Sequence, residues 1–384
     1  MARLIYFDNN ATTQLALEVF EVMRPFLTDE FGNASSAHQR GRSVRKAVSN
    51  ARGHVADLVG AAKPDEIFFT SCGTESDNWA IRGVLSARSE MRHIVTTRVE
   101  HEAIRNVCAN HEKSGGEVTW LEVDENGMTD LDDLKRSLRK DTAIVSMMLA
   151  NNETGVLFPV EEAARVVKEN SSAVFHTDAV NAAGKVAIDL KKSQIDLLSV
   201  SGHKFHGPKG VGALYVRPGT AIDSFLIGGG QEHGLRAGTE AVHQIVGLGE
   251  AARLAQDVSA MDRVRKIRDR LEDAILKTIP NAYLNGSSDR NDRLPNTSNI
   301  SFENTNGEAI LARLDEIGVC VSTGSACNSD SHSTSAVLQA MNVPYSRAMG
   351  SIRFSLGRYN TDEDVDFVLA WLPAIVENLR AMAR

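Results

Sequence analysis

Cysteine is scarce in this chain: four residues, Cys72, Cys108, Cys320 and Cys327, are scattered over 384 positions with no C-x-x-C pair. That count excludes a disulfide scaffold and points to reduced thiols in an intracellular protein. The eleven histidines form no H-E-x-x-H motif and no Cys/His cluster, which argues against an intrinsic metal site. No apolar run approaches membrane-spanning length, and the opening MARLIYFDNNATT lacks a charged-then-apolar signal pattern. A cytoplasmic protein without a membrane partner is therefore expected. Positive charge is not in excess either: the formal net charge of -8 leaves no electrostatic footprint for nucleic acid. Internal repeats and low-complexity tracts are also lacking.

What is present is an ordinary globular composition, 42% hydrophobic and 24% charged, which excludes wholesale disorder. The length allows two domains, or one with a satellite. Short apolar runs alternate with helical periodicity through most of the chain. Ile67-Phe68-Phe69 precedes TESDNWAIRGVLSAR, Ile94-Val95 precedes EAIRNVCANH, and Val118 to Val123 precedes LDDLKRSL. Ala143 to Leu149 leads towards VEEAARVVKE, and Ala173 to Phe175, Leu197 to Val200 and Val211 to Val216 are further strands. This alternation predicts an α/β fold with a mostly parallel sheet covered on both faces, whose ligands bind at the carboxyl ends of the strands. From about residue 240 to 280 the pattern is nearly all helical. Beyond it, SNISF, GEAILARLDEIG, VCVS, SAVLQAM, SIRFSL and a long final helix read as a smaller α+β domain, with a boundary near residue 260.

The strand ends gather polar residues. FFTSCGTESDNWA places Gly73 and Thr74 where a strand gives way to a helix, a natural phosphate seat. Asp178 ends an apolar strand, where a carboxylate needs a cation or several donors. Lys204 follows the DLLSV strand directly, with Ser201 and His203 beside it. Taken singly, these also read as a helix N-cap at Thr74 and an Asp–Lys ion pair beside a Gly-Pro turn. Together on one sheet edge they suggest pyridoxal phosphate. Lys204 would bind its aldehyde, Asp178 would keep its ring nitrogen protonated, and the helix end would take its phosphate.

YFDNNATT, FGNASSAH, TSCGTES, VEHEAI, ANNETG, HTDAV, SGHKFHGPKGVGALYVR, GGGQEHGLRAGT, GSACNS and SIRFSLGRY occur in the order found in the NifS/IscS-type cysteine desulfurases, and from residue 4 to about 380 the chain resembles that family. The resemblance implies the aminotransferase-like fold type I. It implies a large pyridoxal phosphate-binding domain at 14–259, and a small domain made of 1–13 and 260–384. It also implies removal of sulfur from L-cysteine to give L-alanine and an enzyme persulfide. By position, Lys204 matches the Schiff-base lysine, Asp178 the carboxylate partner of the ring nitrogen, and Gly73, Thr74, Ser201 and His203 the phosphate contacts. His101 matches the imidazole stacked on the ring, although alone it reads as a helix cap. Asn152 matches a residue near the ring oxygen and substrate, and Arg353 the clamp for the substrate carboxylate. In GGGQEHGLRAGT, whose glycines alone suggest a mobile surface loop, Thr239 matches a residue that reaches the phosphate in the neighbouring subunit, which implies a homodimer.

STGSACNSDS, residues 322 to 331, surrounds Cys327 with small polar residues that could not bury it. The thiol could be an exposed accident, half a disulfide, a metal ligand or a nucleophile; the resemblance implies the nucleophile, on a mobile loop of about 322–335. The implied acceptors serve iron–sulfur cluster or other thio-cofactor assembly, an iron–sulfur scaffold protein being one, and Cys327 would at most share such a cluster transiently. Four positions depart from the family pattern. Asn181 stands where Gln is usual, so its contact to the ring hydroxyl is expected to be lost or water-bridged. His332-Ser333-Thr334 replaces Leu-Glu-Pro, the ending ENLRAMAR lacks a longer tail, and Ala34 replaces a proline. An aminotransferase or selenocysteine lyase on the same fold, and a non-catalytic sulfur-trafficking protein, are the competing expectations.

Overall fold

The computed structural model describes residues 4–323 and 334–382. The chain opens with a two-residue strand, β1 (Ile5–Tyr6), followed by helices Leu17–Met23 and Gln39–Leu58. Seven strands then follow: β2 (Ile67–Thr70), β3 (His93–Thr97), β4 (Glu117–Leu121), β5 (Thr142–Ser146), β6 (Val174–Asp178), β7 (Leu197–Ser201) and β8 (Gly212–Val216). They form one sheet in the order β2-β8-β7-β6-β5-β3-β4. Neighbours from β7 to β4 pair in parallel, whereas β8 runs antiparallel to both β7 and β2. The sheet is thus mostly parallel, with an antiparallel edge.

Helices cover both faces, so β3, β5, β6, β7 and β8 are buried along their whole lengths. Side chains on a strand point alternately to opposite faces. Accordingly Ile94, Ile144, Val174, Leu197 and Leu214 enter one core with Trp79 and Ile104. Their chain neighbours Val95, Val145, Phe175, Leu198 and Ala213 enter the other, with Val55, Ile245 and Leu248. The stretch from 240 to 280 is not one helix. Val242–Ala255 and Ala260–Thr278 are separate, and they bury their apolar faces in different cores.

The Ala260–Thr278 helix belongs to a third core, with Ile5, Phe7, Phe302, Ile352, Phe354 and Leu372. Here β9 (Ala282–Leu284), β10 (Thr297–Phe302) and β12 (Ser351–Ser355) make an antiparallel sheet in the order β12-β10-β9. The short β11 (Val319–Cys320) pairs in parallel with β1, so the first residues of the chain pack with the last hundred. Among them runs a buried charge network. Arg293 donates to both oxygens of Glu272 at 2.7 and 2.8 Å, and Ser298 donates to the same carboxylate. Arg268 beside it donates to the Leu294 and Thr297 carbonyls.

The network also points at the site. Leu294 N–H donates to Gly155 O, and Arg293 bridges to Val156, so the 151–156 loop is fastened to the second sheet. Gly155 has φ +80°, and a Cβ there would sit 2.8 Å from Thr297 Cβ. Only glycine fits that approach. Replacing Glu272 with Ala leaves Arg293 buried without its carboxylate, while Arg268 keeps Asp269, and is expected to cost roughly 3–5 kcal/mol of stability. Urea unfolding of the two proteins measures this; a loss below 1 kcal/mol would show that the pair is dispensable, as surface pairs are.

Candidate active site

Strands β2, β6 and β7 end around one cavity of about 360 Å³. Gly73, Thr74, His101, Asn152, Asp178, Asn181, Ser201, His203, Lys204 and Arg353 all line it. Ten of the residues singled out from the sequence therefore meet, although they span 281 positions from first to last. Thr239 does not line its own chain's cavity and is exposed. Cys327 lies outside the described residues.

The helix after β2 starts at Gly73, two residues earlier than a Thr74 cap requires. Its N-cap is Cys72, whose side chain accepts nothing from the first turn. The backbone N–H groups of that turn therefore stay available to an anion. A Cβ on Gly73 would lie 2.7 Å from Val180 Cγ2 and fill the cradle. The hydroxyl of Ser201, opposite, is buried without a partner among the described residues. Burial and nearby lysines push the His203 imidazole down to about 4, and its Nδ1 lies 3.1 Å from the Thr12 hydroxyl. It contributes a neutral contact there.

Past the cradle the cavity turns acidic. Asp178 ends β6 with its Oδ1 accepting from Val180 N–H. Burial pushes its carboxyl above the usual range, against the pull of His101, that N–H and Lys204. Asp77 lies behind it on the cradle helix, pushed well up by burial and by Asp178. Glu100 takes N–H from Met148 and the Thr97 hydroxyl on one oxygen, while the other is buried without a partner. Burial, aided by Asp178, pushes Glu100 up to about 8. Three carboxyls out of water cannot all ionise unless a cation joins them. His176, fully buried between the Ser146 and Ser199 hydroxyls, is pushed down to about 3 and cannot be that cation. Among the described residues no cluster of His, Cys, Asp and Glu is arranged to hold a metal ion.

His101 caps the Glu102–Lys113 helix, with Nδ1 accepting from Ala103 N–H at 3.1 Å. This histidine is thus the helix cap that it reads as alone, and it also lines the cavity. Because Nδ1 is an acceptor, the proton of the neutral ring sits on Nε2.

At the opposite end, Lys204 Nζ donates to the backbone carbonyl of Asn10. Asn10 Nδ2 donates in turn to Asn152 O at 3.1 Å and Thr297 Oγ1 at 2.8 Å. Arg353 on β12 points into the cavity between Asn152 O, at 3.0 Å, and Asp8, at 2.6 Å. Its Nε is buried with no partner among the described residues. Glu153 is buried beside it, accepts from the Ser335 hydroxyl, and is pushed up to about 7 by burial.

The glycine-rich stretch before Thr239 is not a loose loop. Glu232 accepts a bidentate pair from Arg52 at 2.7 and 2.6 Å and a bond from Phe69 N–H. Arg236 in turn donates a bidentate pair to Glu75, in the first turn of the cradle helix. Sequence reasoning missed Asn10, Asp77, Glu100 and Glu153. Each lies inside or beside a quoted motif, but nothing in those motifs says that the side chain is buried.

With this geometry in hand, the likeness to known proteins is specific. A family described as Aminotransferase class-V matches residues 5–368. A protein named cysteine desulfurase 2, from Trichormus variabilis, is 53% identical over 99% of this chain and 95% of its own. Cysteine desulfurase NifS of Azotobacter vinelandii is 49% identical over 98% of this chain and 93% of its own. A solved structure named a NifS-like protein superposes with a TM-score of 0.91 at 38% identity, over 98% of this chain and all of its own.

The acid cluster has a consequence for stability. Glu100 keeps its proton in the fold up to about pH 8, whereas from its ordinary value of 4.5 it would lose it. The folded chain then binds more protons than the unfolded one across that window, so this contribution fades as pH rises. Glu100→Gln is expected to flatten the decline of stability between about pH 5 and 8 by a few kcal/mol. Urea midpoints of the cofactor-free chain across that range measure it; an unchanged slope would mean that Glu100 ionises freely.

Proposed function

The chain belongs to the class-V aminotransferase family, in its pyridoxal phosphate-dependent cysteine desulfurase branch, and we propose that Lys204 carries the cofactor and Cys327 the sulfur. The observation that carries this reading is that one cavity is lined by a helix start free to take an anion, an acid cluster and a lysine.

The residues fit the cofactor. Gly73 leaves the cradle open, and Ser201 Oγ, Asn181 Oδ1 and Arg353 Nε face the cavity as buried polar atoms without protein partners among the described residues. Gly73, Thr74, Ser201 and His203 would hold the phosphate, Asp178 the ring nitrogen, His101 the ring face and Lys204 the aldehyde carbon. Asn181 and Asn152 would flank the ring oxygen. When bound, pyridoxal phosphate supplies an electron sink for the pair released as the α-proton of cysteine leaves. A cationic ring nitrogen would also answer the unmet need of Asp178, Asp77 and Glu100 for positive charge.

The residues then divide the work. Arg353, aimed by Asn152 O and Asp8, offers its unspent Nε to the substrate carboxylate. Lys204 takes the α-proton. His101 carries its proton on Nε2, which suits it to donate rather than accept there. The Cys327 thiolate attacks the substrate sulfur, so that an S–S bond forms while the C–S bond breaks and its electron pair stays with carbon. Two protons complete alanine, and Cys327 keeps the persulfide.

The other cysteines support this assignment by their places. Cys108 is fully buried and its thiol is pushed up by burial, as is that of Cys320. Cys72 is half-buried at the N-cap of the cradle helix, where the phosphate would sit.

The same reading takes the chain as a cytoplasmic homodimer, with Thr239 completing the neighbour's phosphate site. Exposed Leu17, Leu27, Phe31 and Ile227 are apolar surface for such a partner. The persulfide passes to an acceptor such as an iron–sulfur scaffold, and the domain division is 14–259 against 1–13 with 260–384.

Mass spectrometry after a single turnover with L-cysteine is expected to find one added sulfur on Cys327, and Cys327→Ser to release no sulfide while keeping the cofactor's visible absorption. Sulfur on Cys72 or Cys320, or undiminished release from Cys327→Ser, would refute the assignment. Arg353→Lys loses the planar fork and is expected to raise KM for cysteine about tenfold or more, with a smaller change in kcat. Steady-state kinetics decides; an unchanged KM would remove Arg353 from substrate binding.

A further inference from the structure

Two lysines meet across one asparagine. Lys204 Nζ donates to the backbone carbonyl of Asn10, and Lys185 Nζ donates to Asn10 Oδ1 at 3.3 Å and to the Asn181 carbonyl at 2.9 Å. Lys185 follows β6 by seven residues and is only 8% exposed. Both of its bonds go to neutral oxygens. The charges that shift it are those of Lys204 and Arg353, both positive, while Arg358 and Asp257 line the pocket beside it. His203 and His206 also face it, and burial first, then nearby positive charge, pushes each down to about 4, so both stay neutral.

An ammonium group buried among cations is expensive. Burial, with the repulsion of Lys204 and Arg353, brings Lys185 down to about 7. Repulsion between two charges is mutual, so whatever Lys204 does to Lys185, Lys185 does to Lys204. The shared asparagine fixes how closely the two amines approach.

We propose that Lys185 is a positioning residue for the reaction: it holds Asn10 against Lys204 and, by competing for protonation, keeps Lys204 Nζ ready to give up its proton. The inference rests on Lys204 being the cofactor-bearing lysine. A role confined to packing would hold Asn10 in place but leave the proton affinity of Lys204 unchanged. The arrangement follows the general logic by which a neighbouring cation activates a catalytic amine.

The test uses the holoenzyme. The visible band of the bound cofactor is followed against pH, and its midpoint reads protonation at Lys204 Nζ. Lys185→Met removes the competing charge and is expected to raise the midpoint by about one pH unit or more. Lys185→Arg makes the charge permanent and is expected to leave the midpoint at or below that of the wild type. The rate of Lys204 carbamylation by cyanate in the cofactor-free chain, mapped by mass spectrometry across pH, is expected to follow the same order. Midpoints unmoved in both folded variants, or moved upward in both, overturn the inference alone. A pH-dependent band that survives in Lys204→Ala overturns the Lys204 assignment and this inference with it.

Discussion

Asn10 is the fastener on which the site depends. Its backbone carbonyl receives Lys204, its side-chain oxygen receives Lys185 and Asn296 Nδ2, and its side-chain nitrogen reaches Asn152 O and Thr297. Its own N–H donates to the Ser355 hydroxyl. One buried residue thus touches the lysine after β7, the 151–156 loop, and strands β10 and β12 of the second sheet. Such a network specifies geometry only when every member is satisfied. Here the geometry is the distance between Lys204 and Arg353 across the cavity that both line.

The same economy of buried charge organises the rest of the cavity. Asp178, Asp77 and Glu100 crowd negative potential at one end, and Lys204, Lys185 and Arg353 crowd positive potential at the other. Neither group is comfortable so far from water. Burial raises the acids and lowers Lys185, so each side resists ionising alone. A ligand that is anionic at one end, cationic in its ring and electrophilic towards an amine relieves both ends. Affinity and catalytic readiness then share a cause, since the strain that a cofactor relieves is the strain that keeps the proton-transfer groups near their switching points.

How much of this was legible in the sequence depended on distance along the chain. The inner strands were visible because each is a short apolar run followed by a periodic helix, and that pattern is local. The anion seat, Asp178 and Lys204 were visible because strand ends in such sheets are known places to look. The Gln39–Leu58 helix escaped notice: its apolar positions are interleaved with arginines, alanines and glycines, and its burial comes from packing against the Val242–Ala255 helix. Strand β1 is two residues long and exists because β11, more than 300 positions away, pairs with it. Lys185 looked like any loop lysine after a strand. Only the fold puts it behind Asn10, because burial of a polar side chain belongs to its neighbours in space rather than to its neighbours in sequence.

A division of labour follows from where the thiols are. Every cysteine among the described residues is fixed by its surroundings: Cys108 in a core, Cys320 in a strand, Cys72 under the anion seat. A thiol held in this way could accept sulfur and then be unable to present it to another protein. The cavity, in contrast, offers what a fixed frame does well: a helix start with free N–H groups, a buried acid cluster and an arginine aimed by its neighbours. Sulfur transfer asks for the opposite property, a thiol that meets first the substrate and then an acceptor. The assignment to Cys327, set among Gly324, Ser325, Ala326 and Asn328, therefore rests on a physical distinction as well as on likeness to relatives. The chemistry that frees the sulfur needs a rigid site, and its delivery needs a residue that the rigid site does not own.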